Sequence, residues 1–221
     1  MSRRVLSLVR HGRADFGSKE FSPTPRGMQF DPPLDEIGRE QAEKLARRLL
    51  AMDPPPVAVY ASPLRRCRET VAPFADKSGI DVRYDDDLAE VHTGAWESKT
   101  FEEILAADSD ILRRILDHES IWHRAPGAET LESLRTRVGR SIDRIVAEHP
   151  EGDVVIVCHG GVINAYVAPI LGIEHEMFFL PENTSVNTVV IEDGQRRVRF
   201  LNDVLHLSDP HLFEPVDSGA G

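Results

Sequence analysis

Cysteine is nearly missing from this 221-residue chain, which has only Cys67 and Cys158. Two thiols cannot build a disulfide framework, and neither falls in a C-x-x-C pair of the kind that holds structural zinc. No apolar run approaches the roughly 18 residues that a membrane span requires. Cationic charge is in deficit: 26 Lys and Arg stand against 37 Asp and Glu, for a net charge of −11. That balance opposes a nonspecific grip on nucleic acid or anionic lipid, which relies on clustered basic residues. Any anionic ligand must therefore be held by a local basic pocket. The N-terminus passes from Met1-Ser2-Arg3-Arg4 straight into Val5–Val9, without an h-region or cleavage site, so the expected compartment is the cytoplasm. Neither G-x-x-x-x-G-K-[ST] nor G-x-G-x-x-G occurs. No H-E-x-x-H or carboxylate cluster calls for a metal, and no cofactor is expected. Cys158 lacks the arginine six residues on that a cysteine-based phosphatase needs, because that position is Asn164.

The chain is 41% hydrophobic, and at this length it is expected to form one domain over residues 1–221. Val5–Val9 reads as a buried strand, followed by a Pro- and Gly-rich loop over 12–33. The spacing of Ile37, Gln41, Leu45 and Leu49 predicts a helix over 35–51, with Asp35 as its cap. Pro54-Pro55-Pro56 ends it, and Val57–Ala61 predicts a second strand. Ser62 and Pro63 suit the N-cap and first helical positions, with Leu64, Cys67, Val71 and Phe74 on one apolar face. A short strand is expected at 81–84 and helices over 100–117 and 130–149. A buried strand at 154–158 runs into an apolar helix ending near Gly172. Strands over about 185–192 and 196–202, joined by Asp193-Gly194, predict a hairpin. Residues 97–128 read as a small helical cap insertion, and 206–221 as a loosely ordered tail. The expected fold class is α/β: a three-layer α/β/α arrangement with a mostly parallel central sheet and helices on both faces.

Such sheets bind ligands at the carboxyl ends of their strands. Arg10 and His11 end the first strand, Arg65 and Arg66 follow the second, and His159 ends the fourth. The helix start at Ser62–Arg66 would favour an anion on electrostatic grounds, with phosphate the obvious candidate. Taken singly, each of these residues has an ordinary reading as a surface charge or a structural histidine. Their joint occurrence at strand ends is what points to a site.

The chain resembles the histidine phosphatase superfamily, also called the phosphoglycerate mutase-like family. The likeness rests on Leu8-Val9-Arg10-His11-Gly12, on Pro33-Leu34-Asp35-Glu36-Ile37-Gly38-Arg39-Glu40-Gln41-Ala42, and on Ser62-Pro63-Leu64-Arg65-Arg66. Leu88-Ala89-Glu90 with Gly94-Ala95-Trp96-Glu97, Pro126-Gly127-Ala128-Glu129-Thr130 and Cys158-His159-Gly160-Gly161 complete it, in family order. The resemblance implies a metal-independent phosphohistidine enzyme hydrolysing a small phosphate monoester. His11 is the implied nucleophile and Glu90 the implied proton donor, with Arg10, Arg66 and His159 as phosphate ligands. Arg66 is preferred to Arg65 because the family's arginine lies four residues after the serine; Arg65 is the fallback. Arginine suits the role because its planar fork can bind phosphate bidentately.

This sequence departs from the family pattern at Gly17, where many members carry Asn. It does so again at Ser98, in place of Gly after Trp-Glu, and at Arg13. Within the family, mutase-type phosphoryl transfer and protein-phosphohistidine phosphatase activity are the alternatives. A phospholigand-binding protein without turnover is the reading from another class. The implied partner is a small phosphorylated metabolite, with no nucleic acid or membrane; the oligomeric state, a homo-oligomer included, stays open. Phe16, Phe21, Phe30, Trp96 and Trp122 are candidates to line the entrance, with ordinary packing as the competing reading.

Overall fold

The computed structural model describes residues 3–108, 110–116, 121–175, 177–209 and 212–213. Its elements in chain order are β1 (Arg4–Arg10), β2 (Phe21–Thr24), β3 (Gly27–Phe30), α1 (Glu36–Leu50), β4 (Ala58–Ala61), α2 (Arg65–Ser78) and β5 (Val82–Tyr84). There follow α3 (Phe101–Ala107), α4 (Ile111–Leu116), α5 (Leu131–Glu148), β6 (Val154–Cys158), α6 (Gly160–Ile170), β7 (Val186–Glu192), β8 (Gln195–Asp203) and α7 (Leu205–Ser208). Six strands form one sheet in the order β5-β4-β6-β1-β7-β8. The strands β5, β4, β6 and β1 are mutually parallel, β7 runs against β1, and β8 runs against β7, so β7 alone is reversed.

The apolar runs at 5–9 and 154–158 lack alternation because both faces of these strands are covered. Leu6, Leu8 and Ile156 pack with Leu134, Val138, Ile142 and Ile145 of α5 and with Val162 and Ile163 of α6. On the opposite face, Val9, Val155 and Val157 meet Leu45 and Leu49 of α1 and Cys67, Val71 and Phe74 of α2. Successive side chains of one strand thus feed two cores, and each fully buried aliphatic side chain contributes roughly 1.5–3 kcal/mol. Helix α6 packs against α5 and the sheet with Gly160–Ala168 all buried, which is why it is apolar on nearly every side. No helix of the described residues is long and apolar enough to cross a membrane.

The expected α1, β4, β5, α5, β6, α6 and β7–β8 are present, with Asp35 capping α1 through the Gly38 N–H and Thr130 capping α5 through Ser133. Asp193 and Gly194 both take positive φ, as the tight hairpin requires. Three local expectations are corrected. The loop over 12–33 contains the hairpin β2–β3, concealed in sequence by Pro23 and Pro25. The helix predicted over 100–117 is two helices, because Asp108 is extended and its carboxylate accepts from the Asp110 N–H; Ser109 and Asp117 lie outside the described residues. Helix α2 begins at Arg65 with Leu64 as its cap, so Ser62 is freed for another partner. Of the predicted cap, 117–120 lie outside the described residues. Ile104, Ile111 and Ile121 make a separate apolar cluster there, flanked by Trp96 and Trp122. Of the predicted tail, 206–208 belong to α7, and 210–211 and 214–221 are outside the described residues.

Candidate active site

Parallel registry places the ends of three strands side by side: Arg10 pairs with Cys158, and Ala61 with Val157. The next residues continue the ladder, His11 N–H bonding to the Cys158 carbonyl and Ser62 N–H to the Val157 carbonyl. His11, His159 and Ser62 therefore arrive together from segments about 50 to 150 residues apart. The two imidazoles lie 5.1 Å apart, centre to centre.

His11 is 4% exposed, and its Nδ1 is 2.8 Å from the Gly12 carbonyl oxygen. A carbonyl only accepts, so Nδ1 carries the proton and Nε2 keeps its lone pair. Burial, then the charges of Arg66 and Arg10, hold the His11 pKa well below the usual value, despite the Gly12 bond. The ring is therefore neutral at physiological pH, as a nucleophile must be. Its backbone is fixed by the segment that leads into the neighbouring strand β7: the Asn183 side chain donates to the His11 carbonyl, and Thr184, at positive φ, donates its N–H to the Arg10 and His11 carbonyls.

His159 is fully buried. Its Nδ1 accepts from Arg66 Nε at 3.2 Å, which leaves the proton on Nε2, 2.8 Å from Ser62 Oγ. Both ring nitrogens are thus engaged with protein, and His159 stands behind Arg66 instead of lining the cleft. Arg66 also donates to the Phe30 carbonyl at 3.0 Å and lies 3.7 Å from Asp31. Arg65 points elsewhere, pairing with Glu69 and Glu20. Arg10 donates to the Pro181 carbonyl, while its buried Nε has no partner.

The expected anion site at the start of α2 is occupied by the protein itself, because Asp31 accepts from the Arg65 N–H at 2.7 Å. The analogous position on α6 serves Glu90, whose Oε2 accepts from the Gly161 N–H at 3.1 Å while Oε1 accepts from its neighbour Val91. A Cβ at position 161 would lie 2.3 Å from Glu90 Oε1, so only glycine allows this approach. The Glu90 backbone is clamped by Arg137, which donates to the carbonyls of Asp87, Ala89 and Glu90 and forms a bidentate pair with Glu129.

These groups surround a cleft of about 350 Å³ lined by Arg10, His11, Arg66 and Glu90, with Gln29 and Lys99 among its other polar walls. Phe16, Phe30, Trp96 and Trp122 also line it; Phe21 instead supports Phe30 at 5.6 Å between rings. Gly17 offers no side chain, and Arg13 pairs with Asp35 at the start of α1. Among the described residues, no group of three or more His, Cys, Asp or Glu is arranged to hold a metal ion.

Sequence reasoning missed Asn183, Thr184 and Asp31, for which no periodic or motif signal exists. It singled out Glu129 only within a motif, and Arg137 not at all.

With this geometry in view, residues 6–204 match the histidine phosphatase superfamily (branch 1), and the chain belongs to that family. The bifunctional protein Rv2228c of Mycobacterium tuberculosis is 36% identical over 154 residues, which are 70% of this chain and 40% of that protein. The chain thus spans about two fifths of the length of that relative. The glucosyl-3-phosphoglycerate phosphatase of the same organism is 32% identical over 182 residues, 77% of each chain. Among solved structures, Bacillus stearothermophilus YhfR superposes with a TM-score of 0.77 at 27% identity, covering 92% of this chain and 99% of that one.

Proposed function

We propose that this protein is a phosphatase that hydrolyses a small phosphate monoester through a phosphohistidine on His11. The observation that carries the reading is the convergence of a neutral, buried imidazole, two guanidinium groups and a carboxyl group on one cleft. Phosphoryl transfer is mostly positioning and charge stabilisation, and Arg10 and Arg66 supply the cationic donors for the equatorial oxygens. His11 Nε2 attacks phosphorus as the bond to the ester oxygen breaks, and Glu90, in its protonated form, gives that oxygen its proton. Water then attacks the phosphohistidine, Glu90 takes the water's proton, and cleavage of the P–N bond releases phosphate and neutral His11. In this arrangement His159 orients Arg66 through Nδ1. Direct ligation of phosphate by His159 requires Nε2 to exchange Ser62 for a phosphoryl oxygen.

The named activity of the mycobacterial relative, a glucosyl-3-phosphoglycerate phosphatase, agrees with phosphate ester hydrolysis as the reaction class. The test is phosphate release from p-nitrophenyl phosphate without added metal. His11→Ala should lower kcat by at least about 10³-fold, and an acid-labile phosphoenzyme should be trapped only in the wild type. Unchanged hydrolysis in the variant removes His11 as nucleophile.

A further inference from the structure

Beside the catalytic cleft lies a second chamber of about 300 Å³. Arg10, Glu90, Val91, Thr93 and Trp122 line both spaces, whereas His11 and Arg66 line only the first. In-line displacement puts the nucleophile and the leaving group on opposite sides of phosphorus. With phosphorus in front of His11, the ester oxygen therefore points away from His11 and past Glu90. The carboxyl group of Glu90 is bonded to the Gly161 N–H, and Gly161 belongs to the wall of the second chamber and not of the first. The organic part of the substrate accordingly extends into that chamber.

The chamber's chemistry is specific. Its apolar wall includes Val91, Trp122, Leu131, Leu134, Met177 and Leu180, and Leu180 is 70% exposed at this position. Among the described residues, Arg10 is the one lysine or arginine in its wall, and Thr93 and His123 are its other polar side chains besides the two carboxylates. The carboxylate of Glu129 does line it, with both oxygens bonded to Arg137. A second anionic group on a substrate would lose water there and face the Glu129 carboxylate, with Arg10 already engaged by the phosphoryl group, whereas an uncharged hydrocarbon would cover surface now open to solvent. We infer that this chamber is the leaving-group subsite, and that the substrate is the phosphate ester of an uncharged, predominantly apolar alcohol or phenol. The inference rests on the phosphatase reading of the cleft.

The test separates the two. Alkylphosphonates keep a phosphoryl-like head group and cannot be hydrolysed as esters, so calorimetric titration with the methyl to octyl series reads the subsite without turnover. Affinity should rise roughly threefold to fourfold per methylene until the chamber is filled, with a heat capacity change that becomes more negative along the series. Butylphosphonate should bind more tightly than 3-phosphonopropanoate, which carries a carboxylate at similar reach. Leu180→Lys, at an exposed position outside the core, should flatten the alkyl series and narrow the gap to 3-phosphonopropanoate. A flat wild-type series, tighter binding of the carboxylated compound, or no binding of any phosphonate would overturn the subsite. Chain-length-dependent binding with no hydrolysis of alkyl or aryl phosphates would instead overturn the phosphatase reading and leave the apolar subsite standing.

Discussion

Two histidines at equivalent strand ends have different surroundings, and their neighbours decide what each can do. The Gly12 carbonyl accepts from the Nδ1–H of His11 and leaves Nε2 with its lone pair, while Ser62 and Arg66 occupy both nitrogens of His159. Glu90 is set by a residue with no side chain. In Gly161→Ala the new methyl collides with Glu90 Oε1, the far end of a flexible side chain, so the fold should survive while the carboxyl group moves. The expected result is a loss of about 10²-fold in kcat/KM for alkyl phosphates. The loss should be much smaller for p-nitrophenyl phosphate, whose leaving group needs little protonation, and the unfolding midpoint should stay close to wild type. Equal losses on both substrates would detach Glu90 from the acid role.

Besides the apolar cores, polar groups tie the elements around the site together. Arg137 on α5 reaches the loop that carries Glu90, and its partner Glu129 sits just before the same helix; their side chains are 6% and 4% exposed. Removing one member leaves a buried charge without compensation. Arg137→Met should therefore cost about 3–5 kcal/mol, read as a lower urea midpoint, and Arg137→Met with Glu129→Gln should recover part of that loss. A single variant as stable as wild type would show that the pair is not structural. The cleft's other wall comes from β2–β3, whose Gln29 donates to the Glu90 carbonyl. This hairpin was invisible in the sequence because prolines interrupt its alternation. The helices α1 and α5 were legible from their apolar spacing and caps, and α6 from its continuous apolar run ending near Gly172, all local properties of the chain.

For the molecule as a whole, burying neutral histidines links stability to pH. His11 and His159 have pKa values held well below 6.5 by burial and then by arginine charges. His206, which bonds Thr184 next to the Arg10-His11 strand end, is pushed down to about 4 by burial and Arg48. A base with a depressed folded pKa leaves the unfolded chain holding more protons below about pH 6.5. The stability from keeping these rings neutral is thus complete above that pH and declines as pH falls towards the folded values. Between pH 7.5 and 5.5, above most carboxylate titration, the unfolding free energy from urea titrations should fall. The limiting slope is about 1.4 kcal/mol per pH unit for each histidine, and His206→Gln should make it shallower. A flat profile over that window would contradict neutral burial of these side chains.

The sequence by itself determined the layered α/β plan, the strands that end in Arg10-His11 and His159, and the family to which those motifs belong, because periodicity and motif spacing are written along the chain. Only the tertiary structure decided that Arg65 turns to Glu69 and Glu20, and that His159 backs Arg66. It also decided that Asp31 takes the start of α2, and that an apolar chamber opens beside Glu90. Those outcomes depend on which distant segments meet across the sheet's carboxyl edge, where a hydrogen bond between residues about 90 positions apart leaves no periodic trace in the sequence.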